Sequence, residues 1–506
     1  MLKNFKKFDF GKQHLWLMGQ GAIGPSLLFM ILQLFIIDLD QITVIDMKPY
    51  DKLKSDVDEI VKLTRGNVDN KITVQSIHIV EDNYLTVFKN LAQNDVVIDC
   101  ANDVCSMSMI KLCHQRGCVY VNSAIEEWDY KNVNNAYDYT IYARLKSLKQ
   151  YEMSVKPNFT AIVGIGCNPG MVSVWAQIAV NEINKHYGTN KTAKELGIRT
   201  IHISEIDTQR SKNPKHINEY CNTWGSTMEP LYEEALAPLE MSWGTHEECP
   251  RVDRVQCVKN DNVAIIDVLA INTFAQSYTP IYGNFNGMMI RHEENITIGD
   301  KLSTYEIING EKTKTYSPTV YYVYKPSKDT MASLSELRDK NYTYQNNYRL
   351  LSDDIIDGRD ELGLTFFLEN GDIFWIGSLL DIDEAREVFS NKFSHKMNAT
   401  TVQVVGGYLS GIMFAVEQHR QGNKKLYVPD DLPAQDIFNK MKMFYGEFVF
   451  TKVDNWDFRN INRRRNFSTL REPVANIKCE WKLKDFLINP DVIIGMNCYE
   501  YYKLTV

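Results

Sequence analysis

The chain has 506 residues, 44% of them apolar and 24% charged, with a formal net charge of −8. A chain this long exceeds one ordinary core, so two large domains are expected, and the acidic balance excludes a general nucleic-acid binder with a basic footprint. No apolar secretion segment follows Met1-Leu2-Lys3-Asn4, and the longest apolar run, Leu27 to Ile37, falls short of the ~20 residues that cross a bilayer; a cytoplasmic protein without a membrane partner is expected. The ten cysteines show no Cys-x-x-Cys and no paired Cys/His spacing, so free buried thiols and no metal are expected.

The first 130 residues alternate short β-branched runs with helical stretches, the pattern of a parallel sheet with crossover helices. His14 to Met18, Ile42 to Asp46, Ile72 to Gln75, Asp95 to Asp99 and Val119 to Asn122 read as its strands. A helical segment before the last of them stops at Arg116-Gly117. A sixth apolar run, Thr160 to Gly166, precedes Asn168-Pro169-Gly170. From about residue 198 to 393 the texture turns aromatic and strand-rich, as in Thr319 to Tyr324, and reads as a second domain shaping a substrate site and a dimer interface. Gly406-Gly407 to Gln421 reads as a helix returning to the first domain. The tail carries Arg463-Arg464-Arg465, a charge run that reads as solvated surface. The expected divisions are 1–160, 161–394, 395–451 and 452–506, the last without an assigned role.

Gly19-Gln20-Gly21-Ala22-Ile23-Gly24 matches Gly-x-Gly-x-x-Gly. The motif alone is weak, but here a strand precedes it, an apolar helix follows, and Asp46 ends the next strand at about the ~20-residue offset of a dinucleotide fingerprint. Gly19 permits the tight turn, Gly21 lets the backbone approach a pyrophosphate, and Gly24 lets helix and strand meet closely. The helix start at Ala22, Ile23 and Gly24 offers N–H groups to the phosphates. Asp46 would accept the adenosine ribose hydroxyls and repel a 2′-phosphate, favouring NAD over NADP, although Lys48 stands close. Asp99, Cys100, Ala101 and Asn102 end the fourth strand, where open α/β sheets line their ligand crevice; Asp99 could instead cap the next helix. The fold class expected is α/β: a Rossmann NAD-binding domain with a parallel sheet, plus a second mixed α/β domain for substrate and dimerisation.

Further along, Cys167-Asn168-Pro169-Gly170-Met171-Val172-Ser173, Ile201 to Arg210, Asn222-Thr223-Trp224, Trp243 to Glu247 and Asp357 to Gly363 resemble, in this order, blocks of the bacterial homospermidine synthases. The resemblance runs from the glycine motif to about residue 450, and the parent group resembles the saccharopine dehydrogenases, which often form dimers. It implies a redox-neutral reaction. Putrescine is oxidised to an imine with NAD, a second putrescine displaces ammonia, and the retained hydride reduces the new imine to homospermidine.

That chemistry asks for anions or π-faces to receive ammonium groups, a base beside the reacting amine, and little water. The matched blocks offer Glu205, Trp224, Glu234, His292 and Asn168 as catalytic candidates, with Glu126, Asp357 and Asp360 for substrate binding. Trp224 brings a cation–π face, His292 a proton shuttle near neutrality, and Asn168 a hydrogen bond to the amine or the cofactor amide. Each has a plainer reading. Asn168-Pro169 has the form of a helix N-cap, Trp224 could be core, and Glu205 could pair with Arg210. His292 and Glu126 could lie exposed, and Asp357 and Asp360 could serve a turn at Gly358. No nucleophilic triad is evident, and Cys167 has no partner for covalent chemistry. The rivals are a saccharopine dehydrogenase-like enzyme condensing an amine with a keto acid, and a non-catalytic NAD-binding regulator. A keto acid wants Arg or Lys clamps, whereas the matched blocks are rich in Glu and Asp.

Overall fold

A computed structural model of the protein describes residues 5–128, 139–225, 234–250, 255–258, 260–343, 347–389, 393–454, 456 and 479–488. Seven strands form the first sheet, every neighbouring pair parallel: Leu426–Tyr427, Thr160–Ile162, Val119–Asn122, Val96–Asp99, Leu15–Met18, Ile42–Asp46 and Thr73–Ser76. Leu15–Met18 lies inside, with the second and third strands on one side and the fourth to sixth on the other. This is the order of a Rossmann sheet, whose strand order reverses beside the first strand. The inner strands are buried along nearly their whole length, which is why they read as unbroken Val/Ile runs rather than alternating ones.

Helix Ala399–Gln421 spans 23 residues and is apolar enough to cross a bilayer, but 94% of its apolar window is buried within the protein. It lies against Val119–Asn122, Thr160–Ile162 and helix Gly24–Leu34, and on its other side against Arg359–Leu368 and Ile373–Asp381. Asn398 caps its start by accepting from the Thr401 amide at 2.7 Å, about two turns before the sequence signal began. A Cβ on Gly407 would sit 1.8 Å from the Gly166 carbonyl. That approach explains a glycine pair inside a helix, where each costs about 1 kcal/mol.

The second sheet has ten strands and is mixed. Its middle strand, Ile198–Asp207, runs parallel to Thr319–Lys325 and antiparallel to Arg359–Leu368. Glu447–Lys452 closes one edge by pairing with Ile373–Asp381. Part of the tail covers this sheet: Trp481 stacks on Phe486 at 5.9 Å and donates from its indole to the Leu368 carbonyl at 2.7 Å. Arg463, Arg464 and Arg465 lie outside the described residues. One expectation is corrected here. Cys249 and Cys257 form a disulfide, brought together by the fold without a spacing signal in the sequence; the other described cysteines are free.

Candidate active site

A cleft opens at the carboxyl ends of the parallel strands and is closed on its far side by the second sheet; Ala22, Ile23, Asp99, Ala101 and Asn102 line one wall, and Glu205, Trp224, Glu234 and His292 the other. On the first wall, Gly19 adopts φ +83°, and a Cβ there would lie 2.4 Å from the Cys100 carbonyl. Only glycine turns the chain here. A Cβ on Gly24 would meet the Gly19 carbonyl at 1.9 Å. Helix Gly24–Leu34 starts with Ile23 as N-cap, which has no side-chain acceptor, and Pro25 follows in the first turn. Its remaining first-turn N–H groups are left for an external acceptor, which suits a pyrophosphate. Asp46 ends its strand with Oδ2 accepting from the Gln20 amide at 2.6 Å and Oδ1 from Lys48 N at 2.8 Å. Those bonds hold its carboxylate beside the glycine turn. The Lys48 ammonium donates to the Gln20 carbonyl and sits 3.8 Å from Asp56. These residues fit a nicotinamide dinucleotide.

Asp99 is buried at the end of its strand and accepts from Tyr120 Oη at 2.8 Å and from the Ala101 amide at 3.0 Å. Burial, against those two donors, pushes its carboxyl up to about 7. It does not cap the following helix, whose N-cap is Cys105.

The second wall follows from strand parity. Side chains two apart share a face, so Glu205 and Asp207 point the same way from Ile198–Asp207, joined by Tyr324, whose register partner is Glu205, and by Tyr322. Asn168 Nδ2 donates to Glu205 Oε2 at 2.7 Å and also to the Tyr322 hydroxyl, which itself donates to Glu205. Asn168 is therefore no N-cap; helix Met171–Tyr187 has Gly170 in that place. Trp224 is half-buried, edge-on to Tyr324 at 5.6 Å, and its indole nitrogen meets no acceptor. It borders the cleft and packs against the edge of the main core.

His292 follows strand Gly283–Ile290. Its Nδ1 lies 3.1 Å from Glu294 Oε2 and its Nε2 3.5 Å from Glu234 Oε1. Burial lowers the ring's pKa, but the two carboxylates outweigh it and hold the imidazole protonated, well above its usual range. The two carboxylates thus favour the protonated ring, away from the near-neutral titration expected of a shuttle. The tips of His292, Glu293 and Glu294 lie within 4.8 Å of one another, as an ion-pair group.

Glu126 lines the cleft, its amide donating to Ser106 Oγ at 3.0 Å. The two remaining candidates part company. Asp357 is exposed and paired with Arg210, whose Nε donates to Oδ1 at 2.9 Å. That pairing removes Asp357 from the cleft and leaves Glu205 without Arg210. Asp360, 0% exposed, lies behind the wall, with Oδ2 accepting from Thr400 Oγ1 at 2.6 Å.

The sequence reading missed Tyr322, Tyr324, Asp207 and Glu294. Parity within Thr319 to Tyr324 and the Glu-x-Asp at 205–207 were the available signals. It also missed Arg291, which approaches Glu240 Oε1 at 3.4 Å, and Arg144, which donates to the Ile125 carbonyl.

A dinucleotide-type parallel sheet joined to a mixed sheet that walls its crevice with acids defines the class. The saccharopine dehydrogenase NADP-binding domain profile matches residues 15–156 and the saccharopine dehydrogenase C-terminal domain profile residues 166–443, over half the chain; the protein belongs to the saccharopine dehydrogenase family. Within that family it is similar to the homospermidine synthase of Mesorhizobium japonicum, 28% identical over 88% of this chain and 95% of that one. It is likewise similar to that of Blastochloris viridis, 27% identical over 87% and 91%. The crystal structure of the homospermidine synthase from Legionella pneumophila in complex with NAD superposes with TM-score 0.79 at 28% identity, covering 96% of this chain and 99% of that one. The apo saccharopine dehydrogenase (L-Glu forming) of Saccharomyces cerevisiae, at 13% identity and TM-score 0.51 over 87% of this chain and 100% of that one, shares the fold.

Proposed function

We propose that the protein is a homospermidine synthase, converting two putrescines to homospermidine and ammonia with NAD. The observation that carries this reading is the acid wall, buried Glu205 with half-buried Glu234, facing the nucleotide side of the cleft beside a half-buried tryptophan. NAD, when bound, takes up a hydride and gives it back, so it is regenerated each cycle. Gly19, Gly21, Gly24, Ala22 and Ile23 hold the pyrophosphate, and Asp46 receives the ribose. Ala101 and Asn102, with Asp99 behind them, border the nicotinamide half. Lys48 is engaged with Gln20 and Asp56, which supports NAD over a 2′-phosphorylated cofactor.

Putrescine enters as a dication. Glu205 receives the ammonium that must lose a proton at nitrogen, and Asn168 and Tyr322 aim that carboxyl. Glu234 faces a second amine, with the His292 imidazolium fixing its orientation, and Glu126 lies on the same lining. Trp224 presents its π-face to the positive charge that builds on the imine carbon, a contact worth ~2 kcal/mol or more when desolvated. A carboxylate substrate would instead need open arginines. Arg144 and Arg291 border the cleft but are committed to the Ile125 carbonyl and to Glu240, which disfavours the keto-acid rival.

In this reading residues 1–160 serve the cofactor and 161–394 the substrate, the enzyme works as a cytoplasmic homodimer, and neither nucleic acid nor membrane is a partner. The exposed Ile307 of hairpin Thr304–Tyr316 supports a subunit contact, which light scattering of the purified protein tests. The deciding experiment incubates protein, NAD and putrescine deuterated at the amine-bearing carbons. Mass spectrometry should find homospermidine that keeps the transferred label, with ammonia and almost no free NADH. Stoichiometric NADH with an amino-aldehyde as main product would make it a simple amine dehydrogenase.

A further inference from the structure

We propose that Asp360 shares one proton with Glu205 across their two carboxyls, and that this pair stores the proton taken from the amine about to be oxidised. The inference rests on the amine-transfer reading above.

The geometry begins with register. Asp360 pairs directly with Asp207, and Leu362 with Glu205. Asp360 is therefore the diagonal neighbour of Glu205 on the same face, within reach of a long side chain. Exposures of 2% for Glu205, 3% for Asp207 and 0% for Asp360 take all three carboxyls out of water. Their hydrogen-bond donors are neutral: Asn168 and Tyr322 on Glu205, Gln209 and Thr223 on Asp207, and Thr400 on Asp360. Among the described residues, no Lys or Arg ion-pairs with any of the three. Three buried anions without a cation at hand carry a desolvation cost that proteins avoid by keeping a proton.

One atom locates that proton. Asp360 Oδ2 is taken by Thr400, while Oδ1 is fully buried and meets no donor from any neighbouring group. Glu205 is its diagonal neighbour on the same face of the sheet, and two carboxylates can hydrogen-bond only through a proton that one of them carries. Asp207, by contrast, has both oxygens satisfied. Burial and mutual repulsion hold both Glu205 and Asp360 well above the usual carboxylate range. Of the other charged or titratable groups around the pair, Asp207, Glu361, Glu234 and the Cys167 thiol add negative potential or none. Tyr324 stays neutral. The His292 imidazolium across the cleft is the one that pulls Glu205 toward ionisation.

The reaction needs such a store. Two doubly protonated putrescines become one triply protonated homospermidine and one ammonium ion, so no net proton is exchanged with solvent. Within the cycle, however, the first ammonium must lose a proton before its carbon can give up hydride. The pair takes that N–H proton and becomes doubly protonated; the carbon's C–H electron pair leaves with the hydride to the bound dinucleotide as C=N forms. The second amine adds as its free base, its ammonium proton having gone to solvent; the stored proton then passes to the first nitrogen, the second nitrogen gives up an N–H proton, and the C–N bond breaks as C=N forms to the second nitrogen. Ammonia departs and, like the amine formed on reduction, takes a proton back from solvent. Glu205 touches the cleft; Asp360 acts through it and is a positioning residue.

The test uses the full-length protein. Infrared spectra of the unliganded enzyme at about pH 8, where ordinary carboxyls are ionised, should show a protonated carboxyl stretch. Both Asp360→Asn and Glu205→Gln should remove it, because either change dissolves the pair. A wild-type-minus-variant difference spectrum that lacks this stretch for either variant overturns the sharing. This arm needs no turnover, so it decides even if product analysis finds no homospermidine. With turnover, Asp360→Asn should lower kcat about tenfold or more and move the acidic limb of the kcat/KM profile to lower pH, with NAD affinity within about twofold. A purely structural Asp360 would lower melting temperature and rate together and leave that limb in place, which also overturns the proposal.

Discussion

Asn168 Nδ2 stands 2.7 Å from Glu205 Oε2, so a loop leaving the nucleotide sheet holds the principal acid of the second sheet. The bond spans 37 residues of sequence and depends on both sheets being in place.

Replacing Asn168 with Ala should therefore act on Glu205. A buried carboxyl that loses a donor costs about 1–3 kcal/mol, so kcat/KM for putrescine should drop by roughly tenfold or more while NAD affinity holds. Isothermal titration with NAD beside steady-state rates checks this. Unchanged rates would mean that Tyr322 alone orients Glu205.

Trp224 should work through its π-face. Phe keeps a weaker face and Leu keeps volume without one, so activity should rank Trp, then Phe, then Leu, at nearly constant melting temperature. Its place on the cleft lining favours this. A core tryptophan would instead lose several kcal/mol of stability on truncation. Equal turnover for Phe and Leu sinks the cation–π role.

Asp99 should make stability depend on pH. Its folded pKa, about 7, lies above the unfolded value of about 3.9. The folded state therefore holds the extra proton between those values, and stability contributed by this group is present at low pH and lost as pH rises through about 7. Asp99→Asn keeps an acceptor for the Ala101 amide and cannot ionise. Its melting temperature relative to wild type should rise between about pH 5 and pH 8. A difference that stays flat, or falls, contradicts a buried protonated Asp99.

Asp357 offers the opposite case. It is exposed, paired with Arg210 and outside the cleft, and such surface pairs contribute little. Asp357→Asn should leave kcat and KM within about twofold of wild type. A raised KM for putrescine with unchanged kcat would return it to the path of the substrate.

The nucleotide half was legible because its signals are local. Gly19, Gly24 and Asp46 are separated by one strand and one helix, and parallel strands buried on both faces announce themselves as Val/Ile runs. The substrate half was legible only in part. Glu205, Trp224, Glu234 and His292 do gather at one cleft, but Asp357 and Asp360, three residues apart in one matched block, end on opposite sides of the cleft wall. A register of ten-stranded pairing decides which side each takes, and no short window of sequence contains it.

Residue order alone thus determined the glycine turn, the acid at the second strand end and the parallel sheet, and it supplied the acids that the resemblance matches to a cationic substrate. Only the tertiary structure decided that Asn168 braces Glu205 instead of capping a helix, and that Arg210 belongs to Asp357. It also decided that two carboxylates flank His292 and favour its protonated form, and that Asp360 is the cross-strand diagonal neighbour of Glu205. The physical reason is range. Backbone turns and strand burial are set by neighbours along the chain, whereas hydrogen bonds and charge interactions act over a few ångströms in space, and only the folded chain brings their partners that close.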